Sequence, residues 1–538
     1  MEIRERWGFE PYPYQKEVEK EIFNNNFPLL IKSPTGSGKT EAVIFPFLSQ
    51  FLQNKFFIAP RLIYVLPVRA LVNQVMERIK SYAQKISPFI SVKVQHGDLP
   101  EEPFFIGDII VTTLDQFVYG FARVSQQVGH HIDMPAGAIA SSLVVFDEAH
   151  MYRDEFTFSI MRAIMEILYE SRIPFVVMTA TMPENLEKSL FENIKDYAKI
   201  IGEDVVSSKL QITICDEPLY ANNEVNIDDG LLEKIKKKKT LIVLNQVKRA
   251  QKIYEEIKER LRLNENQIIL LHSRFTRKDR REHEKKALSL IPHKENGEIK
   301  IPEGVGIVVS TQVLEAGIDF SAELLLTEIA PADCLVQRAG RCARYEGEEG
   351  EMIVFQIEDK REYNPYEEKH LKATIEWLKK KPEFNIKNFG EVSSFVNILD
   401  YQTNDFEARD TLVDLYECVL YADTKPQNIQ VRDSKPVTLV IVDSSIGEGK
   451  KKEDIKRIRS SIRKTAMNLR ENSIDIDIGV AWQLFKDGIL KYRFQYDGES
   501  KNWDVEGIKE IQPFNIYIIE KNDYDENIGV KNDVSYFI

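Results

Sequence analysis

Short apolar runs alternate along the chain with longer stretches whose apolar residues recur every three or four positions. Leu29-Leu-Ile-Lys, Leu62-Ile-Tyr-Val-Leu, Asp108-Ile-Ile-Val-Thr, Leu143-Val-Val-Phe and Phe175-Val-Val-Met have the length and continuity of strands buried on both faces. Arg69–Ile86 and Phe156–Ser171 carry the helical period between them. A second series begins at Thr240-Leu-Ile-Val-Leu and continues through Gln267-Ile-Ile-Leu-Leu, Gly306-Ile-Val-Val-Ser, Leu324-Leu-Leu-Thr and Glu351-Met-Ile-Val-Phe. Alternating strands and helices predict parallel sheets covered on both faces, so the pattern predicts two α/β domains in series. Their joint is expected near residues 203–212.

The rhythm changes afterwards. Residues 361–435 read as a helical, loop-rich linker. Residues 436–538 contain Pro436-Val-Thr-Leu-Val-Ile-Val, an alternating stretch Ile474–Trp482, Leu490–Tyr496 and Phe514–Ile519, with a charged helix at Lys450–Asn468. This predicts a small α+β accessory domain. The expected boundaries are 1–208, 209–360, 361–435 and 436–538.

A chain of 538 residues has room for such a division. Apolar residues at 43% and charged residues at 29% exclude a disordered chain. The net charge of −13 excludes a wholly basic nucleic-acid coat, leaving room only for a local positive groove. Cys215, Cys334, Cys342 and Cys418 are scattered and form no CxxC pair, against both a disulfide framework and a zinc knuckle. The longest apolar runs, Leu62–Leu66 and Ser142–Phe146, fall far short of the ~20 residues of a membrane span. The N-terminus is charged and lacks an apolar core. A cytoplasmic protein without membrane association is expected.

Chemistry enters at Ser33-Pro34-Thr35-Gly36-Ser37-Gly38-Lys39-Thr40, which follows a predicted strand and should open a helix. Glycines let successive backbone N–H groups turn toward a β-phosphate, and the helix N-terminus adds a favourable field. Lys39 would supply charge to the β- and γ-phosphates, and Thr40 a hydroxyl for Mg2+. Ser33 stands where the usual pattern has Gly. Asp147-Glu148-Ala149-His150 ends another predicted strand. Asp147 suits Mg2+, a hard cation that takes oxygen ligands, and Glu148 could then orient and deprotonate an attacking water.

Gln337-Arg338-Ala-Gly340-Arg341-Cys-Ala-Arg344 is dense in guanidinium groups, whose planar forks match phosphate oxygens. It is expected to begin a helix after the loop Ile329–Cys334, with Arg341 and Arg344 on one face. Other features have plainer readings. Adjacent His130 and His131 point to opposite sides of an extended chain and suit a loop. Lys234 with Lys236–Lys239 suits a solvated helix end. Trp377, Trp482 and Trp503 suit packing. Gly447–Lys452 suits a solvated turn.

Together these elements resemble a superfamily 2 helicase over roughly residues 10–350, with the motifs in order. Pro11–Gln15 looks like the Q motif, with Gln15 as the adenine reader, and Ser33–Thr40 is motif I. Pro67-Val-Arg69-Ala-Leu-Val-Asn-Gln74 is similar to motif Ia, and Val111–Gln116 to motif Ib. Asp147–His150 is motif II and Thr179-Ala-Thr181 motif III. Leu271-His-Ser273-Arg274-Phe looks like motif IV, Ser310–Asp319 like motif V with Gly317 and Asp319 near the nucleotide, and Gln337–Arg344 like motif VI.

The resemblance implies two tandem RecA-like parallel-sheet domains with ATP and Mg2+ between them. It implies that Gln337 positions water, that Arg341 and Arg344 are arginine fingers, and that His150, Thr179 and Thr181 couple hydrolysis to domain movement, His150 by linking the box to the second domain. Arg69, Thr112, Thr113, Ser273, Arg274 and Thr311 would grip a sugar-phosphate backbone without reading bases.

Narrower features resemble the helicase of type I CRISPR systems: Leu271-His-Ser-Arg-Phe with Asp279-Arg-Arg-Glu, the Gln-Arg-Ala-Gly-Arg form of motif VI, and a C-terminal accessory domain. That family moves 3′ to 5′ on single-stranded DNA after an RNA-guided surveillance complex opens the target, and many members carry a histidine–aspartate (HD) nuclease. This sequence has no His-Asp dipeptide, and its phosphate loop begins 33 residues in. A separate HD nuclease subunit is therefore expected. Two other readings fit the same motifs: a superfamily 2 helicase acting on RNA or in DNA repair, and a nucleic-acid-bound scaffold using ATP as a switch.

Overall fold

The computed structural model describes residues 10–97, 99–202, 208–295, 298–315, 319–357, 363–401, 412–415, 417–419, 431, 436–442, 471–497 and 502–531. Gly317, Gly447–Lys452 and the expected helix at Lys450–Asn468 lie outside the described residues. Two compact units form: one joins residues 1–207 to 385–433, the other 208–384 to 434–538. The stretch expected as a linker, 361–435, is thus divided between them, and the accessory region belongs to the second unit.

In the first unit the strand order is Leu99–Pro100, Val92–His96, Ile109–Thr113, Arg61–Leu66, Ser142–Phe146, Phe175–Thr179, Leu29–Lys32, Ala198–Ile201. All pairings are parallel except that of Leu99–Pro100 with Val92–His96. Side chains alternate between two cores, one on each face. Ile63, Val65, Val144 and Phe146 pack against the helices Leu114–Phe121 and Glu155–Glu170. Leu62, Tyr64, Leu66 and Val145 pack against Pro13–Phe23, Lys39–Gln53 and Arg69–Ile86. Burial on both faces is why these strands are continuous apolar runs.

The second unit holds a parallel sheet in the order Ile268–Leu271, Ile307–Ser310, Thr240–Val243, Leu324–Glu328, Glu349–Phe355, Lys209–Cys215. Lys209–Cys215 begins where the second domain was expected to begin and occupies part of the joint expected at 203–212. As an edge strand it is half-exposed, and its mixed composition hid it among loop residues. Ala198–Ile201, the edge strand of the first sheet, was missed for the same reason, and Val92–His96 was missed because Lys93 and Gln95 break its apolar run.

The accessory region forms a mixed sheet in the order Ser473–Asp477, Pro436–Val442, Ile516–Glu520, Tyr492–Asp497, Asn502–Gly507. The stretch Ile474–Trp482 is only half strand. Asp477 accepts a hydrogen bond from Gly479 N at 2.7 Å and starts the helix Ile478–Lys486. Lys234 and Lys238 pair with Glu351, and Lys237 with Glu233. Trp377 packs edge-on against Phe384 at 4.5 Å, and Trp482 against Phe485 at 5.9 Å. No helix among the described residues is long and apolar enough to cross a membrane.

A small hairpin, Tyr524–Asp525 with Gly529–Val530, closes over the loop that follows Ile268–Leu271. Tyr524 Oη donates to Asp279 Oδ2 at 2.5 Å and accepts from Thr276 N at 3.0 Å. Gly529, at φ +83°, allows the close approach: a Cβ there would lie 2.6 Å from Arg274 O. Beneath it His272 Nε2 donates to Ile528 O at 2.9 Å, and Nδ1 accepts from Arg274 N at 3.1 Å.

Burial, followed by the charge of Arg274, pushes the His272 pKa down to about 3. The unfolded ring takes a proton near its ordinary value of about 6.5, so the neutral buried ring stabilises the fold above that pH. This contribution is lost as pH falls toward 3, at up to about 1.4 kcal/mol per pH unit for one proton. We expect Tm to fall between pH 6.5 and 4.5, and His272→Gln to flatten that fall while lowering Tm at neutral pH. An identical pH slope in the variant would count against the buried neutral ring.

Candidate functional site

Strand register gathers the predicted residues. Lys32 is level with Thr179, Val65 with Phe146, and Leu66 with Thr113. The segments that follow therefore leave the first sheet at its carboxyl edge, where open α/β sheets place their ligand crevice.

Gly36 and Gly38 both have φ +83°. A Cβ on Gly38 would sit 2.6 Å from Gln15 Nε2, so both backbone angle and space call for glycine. Gln15 Nε2 donates to Gly38 O at 2.9 Å, and Gln15 Oε1 accepts from Tyr12 N at 2.9 Å. Tyr14 Oη donates to Ser37 O at 2.8 Å, and Ser33 Oγ lies 2.5 Å from Ser37 Oγ. Pro34 and Thr35 are half-buried. Lys39 Nζ donates to Ser33 O at 2.9 Å and to Pro34 O at 3.0 Å, so the loop curls around the ammonium. The helix Lys39–Gln53 begins directly behind it and aims its first N–H groups at the same space.

Thr40 and Asp147 meet through a residue the motifs did not single out. Tyr64 Oη donates to Asp147 Oδ2 at 2.6 Å and lies 3.2 Å from Thr40 Oγ1. Burial, then the Glu148 carboxylate, pushes Asp147 up to about 6, which is the disfavour a nearby dication would relieve. The donor set therefore fits Mg2+, which needs only one or two protein oxygens beside phosphate and water. Thr40 Oγ1 and Asp147 Oδ2 would hold it.

Glu148 adopts φ +51°, the left-handed region, which costs energy in a non-glycine residue. Its Oε2 is buried without a hydrogen-bond partner among the described residues and lies 3.6 Å from His150 Nδ1. Those two groups are not an ion pair, because burial, aided by Arg153 and Lys39, pushes His150 down to about 3. His150 Nδ1 is instead 3.2 Å from Thr179 Oγ1. The described link of His150 thus runs to motif III in the same unit. Thr181 Oγ1 is buried with no hydrogen-bond partner among the described residues. Lys32, just before the loop, donates to Glu187 at 2.7 Å and to Met182 O at 3.3 Å, tying motif I to the end of motif III.

In the second unit the arginine-rich motif differs from expectation. The helix is Ala332–Ala339 and ends at Gly340, so Gln337 lies in its last turn while Arg341 and Arg344 lie beyond it and share no helical face. Gly340 is the C-terminal cap residue, and its N–H donates to Val336 O. Arg341 Nη2 donates to Glu315 O at 2.7 Å and Nε to Leu314 O at 3.2 Å; Arg344 Nε lies 2.8 Å from Asp319 Oδ1. Arg338 is fully buried and donates to Glu315, Thr327 Oγ1, Asn245 Oδ1 and Tyr366 Oη.

Asn245 also receives Gln312 Nε2 on its carbonyl at 2.9 Å, and its N–H donates to Glu328 Oε2 at 2.6 Å. Glu328 is paired with the buried Arg249. Asn245, Arg249 and Glu328 were missed; an asparagine after one strand and a glutamate ending another carried only a faint signal.

The residues expected on the nucleic-acid track divide by exposure. Arg69 is exposed and Ser273 half-buried. Thr112, Thr113, Arg274 and Thr311 are buried. Thr112 Oγ1 donates to Gln95 O at 2.7 Å, inside the sheet. The strand end packs on both faces, and the Thr112 hydroxyl is engaged within the sheet.

The family model for DEAD/DEAH box helicases matches residues 12–189, and that for the C-terminal part of the CRISPR-associated nuclease/helicase Cas3 matches residues 236–347. The CRISPR-associated helicase Cas3 of Thermoproteus tenax is 31% identical over 68% of this chain and 62% of its own length. The chain is a Cas3-like superfamily 2 helicase.

A putative CRISPR-associated nuclease/helicase Cas3 of Methanocaldococcus jannaschii is 26% identical over 81% of this Cas3-like chain and 61% of its own length. The chain thus spans about three fifths of these relatives. The crystal structure of T. fusca Cas3 with AMPPNP superposes with a TM-score of 0.67 at 17% identity, covering 95% of this chain and 68% of that one. The fold is therefore that of Cas3: two RecA-like parallel sheets and a smaller C-terminal sheet.

Proposed function

We propose that this chain is an ATP hydrolase that moves 3′ to 5′ along single-stranded DNA in a type I CRISPR interference system. The observation that carries the ATPase reading is the single cluster in which Lys39, Thr40, Asp147 and Glu148 stand together at the carboxyl edge of one parallel sheet. Lys39 and the loop N–H groups bind the β- and γ-phosphates. Mg2+, when bound to Thr40 and Asp147, neutralises phosphate charge. Glu148 orients the attacking water and accepts its proton on the unengaged Oε2. Gln337, Arg341 and Arg344 are assigned to the water and the transferring phosphoryl group on the likeness of motif VI.

Single-stranded DNA as the track, an RNA-guided surveillance complex as the recruiting partner and a separate HD nuclease subunit as the cutting partner rest on the Cas3 relationship. Exposed Arg69 and half-buried Ser273 are retained as backbone contacts, and Thr113 and Thr311 are assigned to the track on the likeness of their motifs.

Steady-state ATP hydrolysis in Mg2+ should be stimulated strongly by single-stranded DNA and weakly by RNA. A duplex with a 3′ overhang should be displaced, and one with a 5′ overhang should not. Preferential stimulation by RNA would move the assignment to an RNA helicase. DNA-stimulated turnover without displacement from either end would move it to an ATP-driven scaffold.

A further inference from the structure

Tyr64 stands in the middle of a central strand, Arg61–Leu66, with parallel neighbours on both sides. It is fully buried among Leu62, Leu66 and Val145. A phenol hydroxyl in such a place is costly unless its hydrogen-bonding capacity is used. Here it is used on two residues distant in sequence, Thr40 and Asp147.

The direction of these bonds follows from counting protons. Tyr64 has one hydroxyl proton, and it is donated to the Asp147 carboxylate at 2.6 Å. In the 3.2 Å contact with Thr40, Tyr64 must then be the acceptor and Thr40 Oγ1 the donor. Thr40 has no second proton, so its remaining oxygen lone pairs are left for a cation. Asp147 Oδ1 accepts from Glu148 N at 2.8 Å, which fixes the other end of the carboxylate. One relay, Thr40 to Tyr64 to Asp147, therefore turns oxygen lone pairs of both residues toward a cation.

We propose that Tyr64 is a positioning residue for the nucleotide-linked Mg2+, holding the Thr40 hydroxyl and the Asp147 carboxylate in the orientation that a dication requires. It acts through the two ligands and does not itself touch the metal. This deepens the proposed ATPase reading and rests on it. Outer groups that orient metal ligands typically matter by about 10–100-fold in metal affinity.

The test is a binding titration, not a turnover assay. Wild-type protein and Tyr64→Phe are titrated with a fluorescent ATP analogue, first in EDTA and then at increasing Mg2+. Tyr64→Phe is expected to leave metal-free nucleotide affinity and Tm close to wild type. It should raise the Mg2+ concentration for half-maximal tightening by about 10–100-fold. Superposable Mg2+ curves for the two folded proteins would overturn the proposal. Wild-type protein that binds no nucleotide at any Mg2+ concentration would instead overturn the ATPase reading.

If Tyr64→Phe does not fold, fluorotyrosine placed at position 64 keeps the ring and the hydroxyl. Its 19F resonance should shift when Mg2+ is added to the nucleotide-bound protein. A resonance that ignores Mg2+ while the metal tightens nucleotide binding would overturn the proposal equally.

Discussion

Lys39→Ala is expected to reduce ATP hydrolysis by at least about 10²–10³-fold, the loss seen when one preorganised charge-stabilising donor is removed. The ammonium lies within the curl of its own loop, held by Ser33 O and Pro34 O, and no other cation is described bonding to those carbonyls. Alanine removes both the charge and the group around which the loop is shaped, so nucleotide binding should weaken as well.

Glu148→Gln separates binding from chemistry. It keeps the side-chain volume but not the base, so it should bind ATP and fail to hydrolyse it, trapping the nucleotide. Single-turnover hydrolysis and nucleotide affinity, measured side by side, check both variants. Equal turnover of Glu148→Gln and wild type would remove Glu148 from the role of base.

Glu328→Gln carries the largest expected effect on stability. Glu328 and Arg249 are 2% and 1% exposed, so neither charge can turn to water when its partner is lost. Breaking a buried pair by neutralising one member costs about 3–5 kcal/mol, because the other loses the opposite charge that offset its desolvation. For a body of this size that corresponds to a Tm lower by roughly 6–20 °C. Replacing both, with Arg249→Met and Glu328→Leu, should recover much of the loss, since the desolvation cost disappears with the pair.

The same change should reach the chemistry. Glu328 Oε2 holds the N–H of Asn245, and Asn245 holds both Gln312 and Arg338. Glu328→Gln should therefore lower ATP turnover below the melting transition while leaving Mg2+-dependent nucleotide binding to the first unit intact. Thermal melts and nucleotide titrations on the single and double variants test this. A Tm within 2 °C of wild type for Glu328→Gln would contradict the buried-pair account.

How much of this was legible before folding differs from element to element. Strands such as Leu62–Leu66 and Ser142–Phe146 were visible because burial on both faces demands an unbroken apolar run. Lys209–Cys215 was invisible because an edge strand alternates polar with apolar residues and resembles a loop. The arginine motif was recognisable as a string of guanidinium groups. Its shape was not, because Gly340 closes the helix two turns after it starts and sends Arg341 and Arg344 back toward Glu315 and Asp319. A motif names residue types, whereas the burial of Thr112 and Arg274 depends on what packs over them.

The sequence by itself determined the order of strands and helices, the phosphate loop and the acidic box, since these depend on local spacing and on backbone freedom at Gly36 and Gly38. Tertiary structure alone decided that Tyr64 joins Thr40 to Asp147, that His150 contacts Thr179, and that Asn245 ties motif V to motif VI. Those contacts span 24 to 93 residues of chain. Parallel strands are never neighbours through a short turn, so which side chains meet at the sheet edge depends on crossover order and register, neither of which a local pattern encodes.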